Sequence, residues 1–170
     1  MSIVKLTNDH IDELAQVHTR SWQVGYRGQL PQELLDELDP VRRAEMWRRW
    51  LDRDGDDLLA FVALDEQERV IGFTASGEPR DDDVPPSCGE LYAIYVEPDR
   101  WSGGIGTELM ESTTDALRDA GYHCATLWVL KSNQRSRRFY ERHGWEPDGR
   151  EKVEPWGDSE LHEVRYAITL

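Results

Sequence analysis

Apolar positions along the chain switch between two spacings, and the switches predict its elements. IVKL at 3–6 reads as a first strand. Asn8 or Asp9 is placed to cap a helix in which Ile11, Leu14, Ala15, His18 and Trp22 recur at helical spacing. YRGQLP at 26–31 breaks the pattern, and a second helical segment covers 32–51 with an interruption at Pro40. DRDGDD at 52–57 is a polar turn. LLAFVAL at 58–64 and VIGFTAS at 70–76 form a hairpin through DEQER at 65–69. A charged loop, EPRDDDVPPS at 78–87, precedes the strand GELYAIYV at 89–96. The run Thr107–Ala120 is helical, with Leu109, Met110, Thr113, Ala116 and Leu117 on one face and Gly121 as its stop. CATLWVL at 124–130 is a strand, 134–143 a helix stopped by Gly144, and 145–170 two strands around a loop at Pro155–Gly157. No linker or internal repeat interrupts this order. The expectation is one domain over 1–170, of mixed α/β class, with helices on a central mixed sheet.

Composition narrows the function. Only 38% of the 170 residues are hydrophobic, but seven Trp and six Tyr supply bulk for a core. The formal charge of -14 argues against a general nucleic-acid binder, which needs a concentrated basic surface. It leaves room for a local basic pocket and suits a cationic partner. Cys88 and Cys124 are too few for a disulfide framework and form no C-x-x-C pair. MSIVKLTNDH lacks the apolar region of a secretory leader, and no stretch reaches the length of a membrane span. A cytoplasmic protein without membrane contact is expected.

EPDRWSGGIGTEL at 97–109 joins a strand to a helix through Gly103, Gly104 and Gly106. The first amides of a helix have no internal partner, and the dipole favours an anion there. The same stretch also fits a plain strand-to-helix turn. A P-loop would follow its last glycine with Lys and a hydroxyl residue, whereas Gly106 is followed by Thr107 and Glu108. A dinucleotide fingerprint lacks its third glycine and its early βαβ unit.

With these segments in order, the chain resembles the GCN5-related N-acetyltransferase superfamily. That family's acyl-CoA turn is commonly R/Q-x-x-G-x-G/A after a strand, and Trp101-Ser102-Gly103-Gly104-Ile105-Gly106 matches it. Trp101 departs from the usual Arg or Gln, and Ser102 stands where glycine is frequent. A second match, LWVLKSNQRSRRFYERHGW at 127–145, places Asn133 before a helix that carries Tyr140. SWQVGYRGQLP, from Ser21 to Pro31, resembles the family's acceptor-side region. The resemblance covers nearly the whole chain. It implies an acyl-CoA N-acyltransferase fold, acetyl-CoA as co-substrate, no metal, a primary amine on a small molecule or peptide as acceptor, and a homodimer.

It also implies roles. The cofactor would lie against Ile94, Tyr95 and Val96 through backbone groups, then along Arg100 to Thr107, with Asn133 and Arg135 on the facing helix; Arg138 is a further candidate for its phosphates. Tyr140 is the candidate proton donor to the departing sulfur. The attacking amine must be neutral, so a base or a water chain must take its proton. Glu90, at the start of its strand, is the candidate base, on one face with Tyr92 and Ile94 unless a bulge shifts the register. Trp22, Tyr26 and Arg27 are candidates for the acceptor pocket.

Each residue also has an ordinary structural use: Tyr140 as packing, Asn133 as a helix cap, Trp22 as core, Glu90 as an acid at a sheet end. A non-catalytic acyl-CoA-binding regulatory module on the same fold is the alternative, and a dinucleotide oxidoreductase is a weaker third reading. His10, His18, His123, His143 and His162 form no zinc pattern. DRDGDD fails the spacing of a calcium loop, G-x-S-x-G is absent, and Cys88 has no activating neighbour.

Overall fold

A computed structural model describes residues 1–54, 57–157 and 159–170. Seven strands form one sheet in the order β1-β2-β3-β4-β5-β7-β6. They are β1 (Ser2–Lys5), β2 (Leu59–Leu64), β3 (Val70–Gly77), β4 (Cys88–Val96), β5 (Cys124–Leu130), β6 (Glu146–Trp156) and β7 (Ser159–Thr169). The helices are α1 (Ile11–Gly25), α2 (Gln32–Asp36), α3 (Pro40–Asp54), α4 (Ile105–Asp119) and α5 (Gln134–Arg142). Every strand pair is antiparallel except β4 with β5.

The mixed α/β class is as expected, and most boundaries fall within two residues of the expected ones. The second helical segment divides into α2 and α3, with Pro40 opening α3 as a first-turn proline does. Asn8 and Asp9 lie inside a short 3₁₀ turn, and the turn is closed from Thr7, whose amide donates to His10 Nδ1 at 3.1 Å. The polar turn expected at 52–57 is helical through Asp54; Gly55 and Asp56 lie outside the described residues. Pro155 belongs to β6 rather than to a loop. Because β6 is an edge strand, a proline there removes no ladder hydrogen bond.

β3 is buried along its whole length, which explains its unbroken run of small and apolar residues. Trp47 of α3 and Leu14 and Val17 of α1 pack with Phe73 on one face. Leu109 of α4 packs with Ala63 and Ile71 on the other. That close approach needs Gly72, where an added Cβ would meet Leu109 Cδ1 at 3.0 Å.

Two features of β4 organise the site. The register with β3 runs Ala75↔Ala93 and then Ser76↔Leu91, so Tyr92 is the extra residue of a bulge. The pairing with β5 holds only from Cys88↔Cys124 to Leu91↔Leu127. Beyond Leu91 the two strands part, and among the described residues the edge of β4 that faces β5 has no strand partner. Cys88 and Cys124 are joined by a disulfide at the closed end of this fork. A single bond was not evident from a count of two cysteines. The residues are 36 apart in sequence, and only the parallel β4–β5 register makes them neighbours. No helix among the described residues is long and apolar enough to cross a membrane.

Candidate active site

The fork opens into a cavity of ≈ 1260 Å³, walled by β4, β5, the end of α1, the start of α4, α5 and the β6–β7 face. At one mouth lies the glycine turn. Ser102 and Gly104 both have positive φ, 65° and 86°. Ser102 therefore holds a left-handed conformation where glycine is favoured, which is the strained form of the family's usual residue. The amides of Thr107 and Glu108 bond back to the Gly104 carbonyl. Among the described residues, the amides of Ser102, Gly104, Ile105 and Gly106 have no backbone acceptor. They sit at the positive end of a 15-residue helix. Gly106 lets α5 approach, since a Cβ there would meet the Phe139 ring at 3.3 Å.

Trp101 does not replace an arginine's charge; it builds a support. Its indole N–H donates to the Val96 carbonyl at 2.8 Å, and Ser21 Oγ donates to the same oxygen at 3.0 Å. The Arg135 guanidinium lies over the Trp101 ring, 3.4 Å from its centroid. Burial pulls Arg135 below the usual guanidinium range. Arg100, Arg135 and Arg142 line this mouth, a basic cluster on an acidic chain. Ile94, Val96, Ile105 and Thr107 also line the cavity, whereas Gly103 and Arg138 do not.

Asn133 caps α5, its side chain accepting from the Ser136 amide at 3.1 Å, and still borders the cavity. Thr107 is tied to α5 as well. His143 Nδ1 faces the Phe139 carbonyl at 2.8 Å, so Nδ1 carries the proton. Nε2 lies 3.2 Å from the Thr107 hydroxyl. His143 had no motif to mark it; its partners come from α4 and from its own helix.

Tyr140 stands at the fork. It is 8% exposed, its ring packs near Trp145 and Tyr166, and its hydroxyl has no hydrogen bond among the described residues. Burial, with a contribution from Tyr95, holds the phenol well above its ordinary range. It is therefore protonated at neutral pH.

The other end is aromatic and acidic. Trp22 and Tyr26 meet edge-to-face at 4.9 Å between centroids, and the hydroxyls of Tyr26 and Tyr95 lie 3.3 Å apart. Tyr95 stacks on His18 at 4.8 Å. Burial and Arg43 keep His18 well below the imidazole range, so that ring is neutral. Arg27 is exposed outside the cavity. Glu90 is buried, 1% exposed, and both of its oxygens are engaged by Arg80: Oε2 accepts from the amide at 2.8 Å and Oε1 from Nε at 3.0 Å. Arg80, Trp128, Lys152, Glu154 and Glu163 complete this end. None carried a sequence signal: the pairing of β5, β7 and β6 brings Trp128, Lys152, Glu154 and Glu163 together from separate segments, and the 78–87 loop adds Arg80. Among the described residues, no group of three or more His, Cys, Asp or Glu is arranged to hold a metal.

Known proteins share this fold. The family model described as "Acetyltransferase (GNAT) family" matches residues 12–145. The chain belongs to that family. Uncharacterized N-acetyltransferase YuaI of Bacillus subtilis (strain 168) is 31% identical over 125 residues, covering 74% of this chain and 69% of that protein. A mycothiol acetyltransferase of Rhodococcus jostii (strain RHA1) is 35% identical over 106 residues, but the chain spans only 33% of its length. Among solved structures, the PaiA N-acetyltransferase of Thermoplasma acidophilum, in complex with coenzyme A, aligns over 99% of this chain and 98% of its own. Its TM-score is 0.77 at 21% identity, a likeness of fold.

Proposed function

We propose that this acetyltransferase-family protein moves the acetyl group of acetyl-CoA to a primary amine by direct attack in a ternary complex. One observation carries the reading. A protonated, unbonded Tyr140 hydroxyl stands between a mouth of free helix amides and an acidic, aromatic end. The amides at Ser102, Gly104, Ile105 and Gly106 suit a pyrophosphate, with Arg100 and Arg135 adding charge. The edge of β4 from Ile94 to Val96, free of a strand partner though its Val96 carbonyl is held by Trp101 and Ser21, suits the amide-rich pantetheine arm, as one strand suits another.

The amine nitrogen attacks the thioester carbonyl carbon. The C–N bond forms and the C–S bond breaks. Tyr140 gives its proton to the departing sulfur and regains one from the nitrogen. The ammonium must lose an earlier proton before it can attack. Trp22 and Tyr26 wall the acceptor. Glu90, whose oxygens are engaged by Arg80, is assigned to holding Arg80 and the 78–87 loop at this end. The reading extends to a single domain over 1–170 acting as a homodimer.

The test is thiol release from acetyl-CoA across a panel of amines and peptides. Release that depends on the amine supports transfer. Saturable acetyl-CoA binding with no release from any amine would favour a regulatory module instead.

A further inference from the structure

We propose that Glu163 takes the first proton from the incoming amine, and that the acceptor is a cationic amine with no carboxylate beside it. The inference rests on the acetyl-transfer reading. The β-ladder places Glu163. Leu130 of β5 pairs with Glu163 of β7, which pairs in turn with Lys152 of β6. Leu161 pairs with Glu154 in the same ladder. Residues paired directly across strands share a face, and this face forms the floor of the acceptor end, where Lys152, Glu154, Leu161 and Glu163 all line the cavity.

Four carboxylates line that end: Asp81, Glu90, Glu154 and Glu163. Three are engaged at short range. Glu90 holds Arg80 through both oxygens. Asp81 Oδ2 accepts from the Trp128 indole at 2.8 Å and from Arg165 at 3.0 Å. Glu154 accepts from Lys152 at 2.7 Å. Among the described residues, Glu163 has only a looser contact with the same Lys152, at 3.4 Å. Lys152 is further occupied by the Trp128 ring, 4.5 Å from its centroid.

The surroundings of Glu163 suit a proton acceptor. Burial raises its carboxyl above the usual range, against the opposing pull of Lys152, and Glu154 adds to the rise. A base works best when its range approaches the operating pH. Its charged and titratable neighbours are Lys152 and Glu154 from β6, Arg80 from the 78–87 loop, Tyr26 just after α1 and Tyr95 from β4. Tyr26 feels both Glu163 and Tyr140, and its hydroxyl meets that of Tyr95.

In the step, the ammonium N–H bond breaks and its proton passes to a Glu163 oxygen. The neutral amine then attacks, and the proton on Glu163 leaves to solvent after turnover. Of the cations at this end, Arg80 and Lys152 line the cavity and each holds a carboxylate of the protein, whereas Arg43 lies off the cavity against Trp22 and His18. A substrate carboxylate would meet a net negative wall.

The experiment compares wild type with Glu163→Gln, using tyramine against tyrosine and pentylamine against norleucine, with acetyl-CoA affinity and Tm followed in parallel. At neutral pH the variant is expected to lose ~10²-fold in kcat/KM for tyramine, with acetyl-CoA affinity and Tm unchanged. The gap should close as pH rises toward the range where the amine is already neutral. Each amine should exceed its amino acid by at least ~10-fold, as expected when a like charge is brought to the wall. A variant as fast as wild type, or depressed equally at every pH, would overturn the role of Glu163. Amino acids used as well as the amines would overturn the acceptor class. A wild type silent toward every amine would instead remove the acetyl-transfer reading itself.

Discussion

The two ends of the cavity are built in different ways. The end proposed for acetyl-CoA is largely local: Arg100 to Thr107 form one turn, and backbone amides at the start of α4 are joined there by Arg100, Arg135 and Arg142. The acceptor end is assembled from α1, the 78–87 loop, β4, β5, β6 and β7, and its polar groups are side chains. A backbone site depends on conformation, so it tolerates changes such as Trp101 for arginine and Ser102 for glycine. A side-chain site depends on identity at each position. The difference fits a family that shares a cofactor and varies its acceptors.

The junction common to both ends offers the largest effect. The Cys88–Cys124 disulfide closes the fork, and the residues are 36 apart. On chain-entropy grounds its reduction costs about 3–4 kcal/mol of stability. Thermal unfolding with and without reductant should show a drop of roughly 10 °C. Acetyl-CoA and amine binding should weaken together. A selective loss at one end would break the picture of a shared junction.

Gly106→Val separates the ends. Its side chain would meet Phe139 and push α5 from the amide cradle. Loss of buried hydrogen bonds to phosphate is expected to cost about 2–3 kcal/mol, roughly 100-fold in acetyl-CoA affinity by calorimetry. The KM for amine, measured at saturating acetyl-CoA, should stay within about twofold, because a change at a distant site adds independently.

Tyr26→Phe probes the other end with a smaller effect. Removing one hydroxyl of the Tyr26–Tyr95 pair is worth about 1 kcal/mol, roughly fivefold in kcat/KM for the amine. Acetyl-CoA affinity should not change. An equal loss on both substrates would mean that the two ends are not separable.

This contrast also explains what could be read from the sequence. The elements follow local periodicity, so α1, α4, β2 and β3 fall close to their expected limits. The glycine turn and Tyr140 lie in contiguous motifs, and both border the cavity. The bulge at Tyr92 was legible only as an option, since its position depends on pairing with β3. The partners of Glu90, the disulfide and the place of Glu163 were not legible. Arg80 lies ten residues before Glu90 in a loop with no pattern, and Cys124 and Glu163 become neighbours of β4 and β5 only through strand order. Arg27 looked like pocket material because it adjoins Tyr26, but the chain has left α1 by then and its side chain faces solvent.

The central claim is that Tyr140 serves chemistry between the two ends rather than packing alone. The direct measurement is amine-dependent thiol release by Tyr140→Phe, alongside its acetyl-CoA affinity. The account predicts a loss of ~10²-fold or more in kcat, with acetyl-CoA affinity within about twofold of wild type, since no hydrogen bond of the folded chain is removed. Full turnover by the phenylalanine variant would contradict it and return Tyr140 to the core.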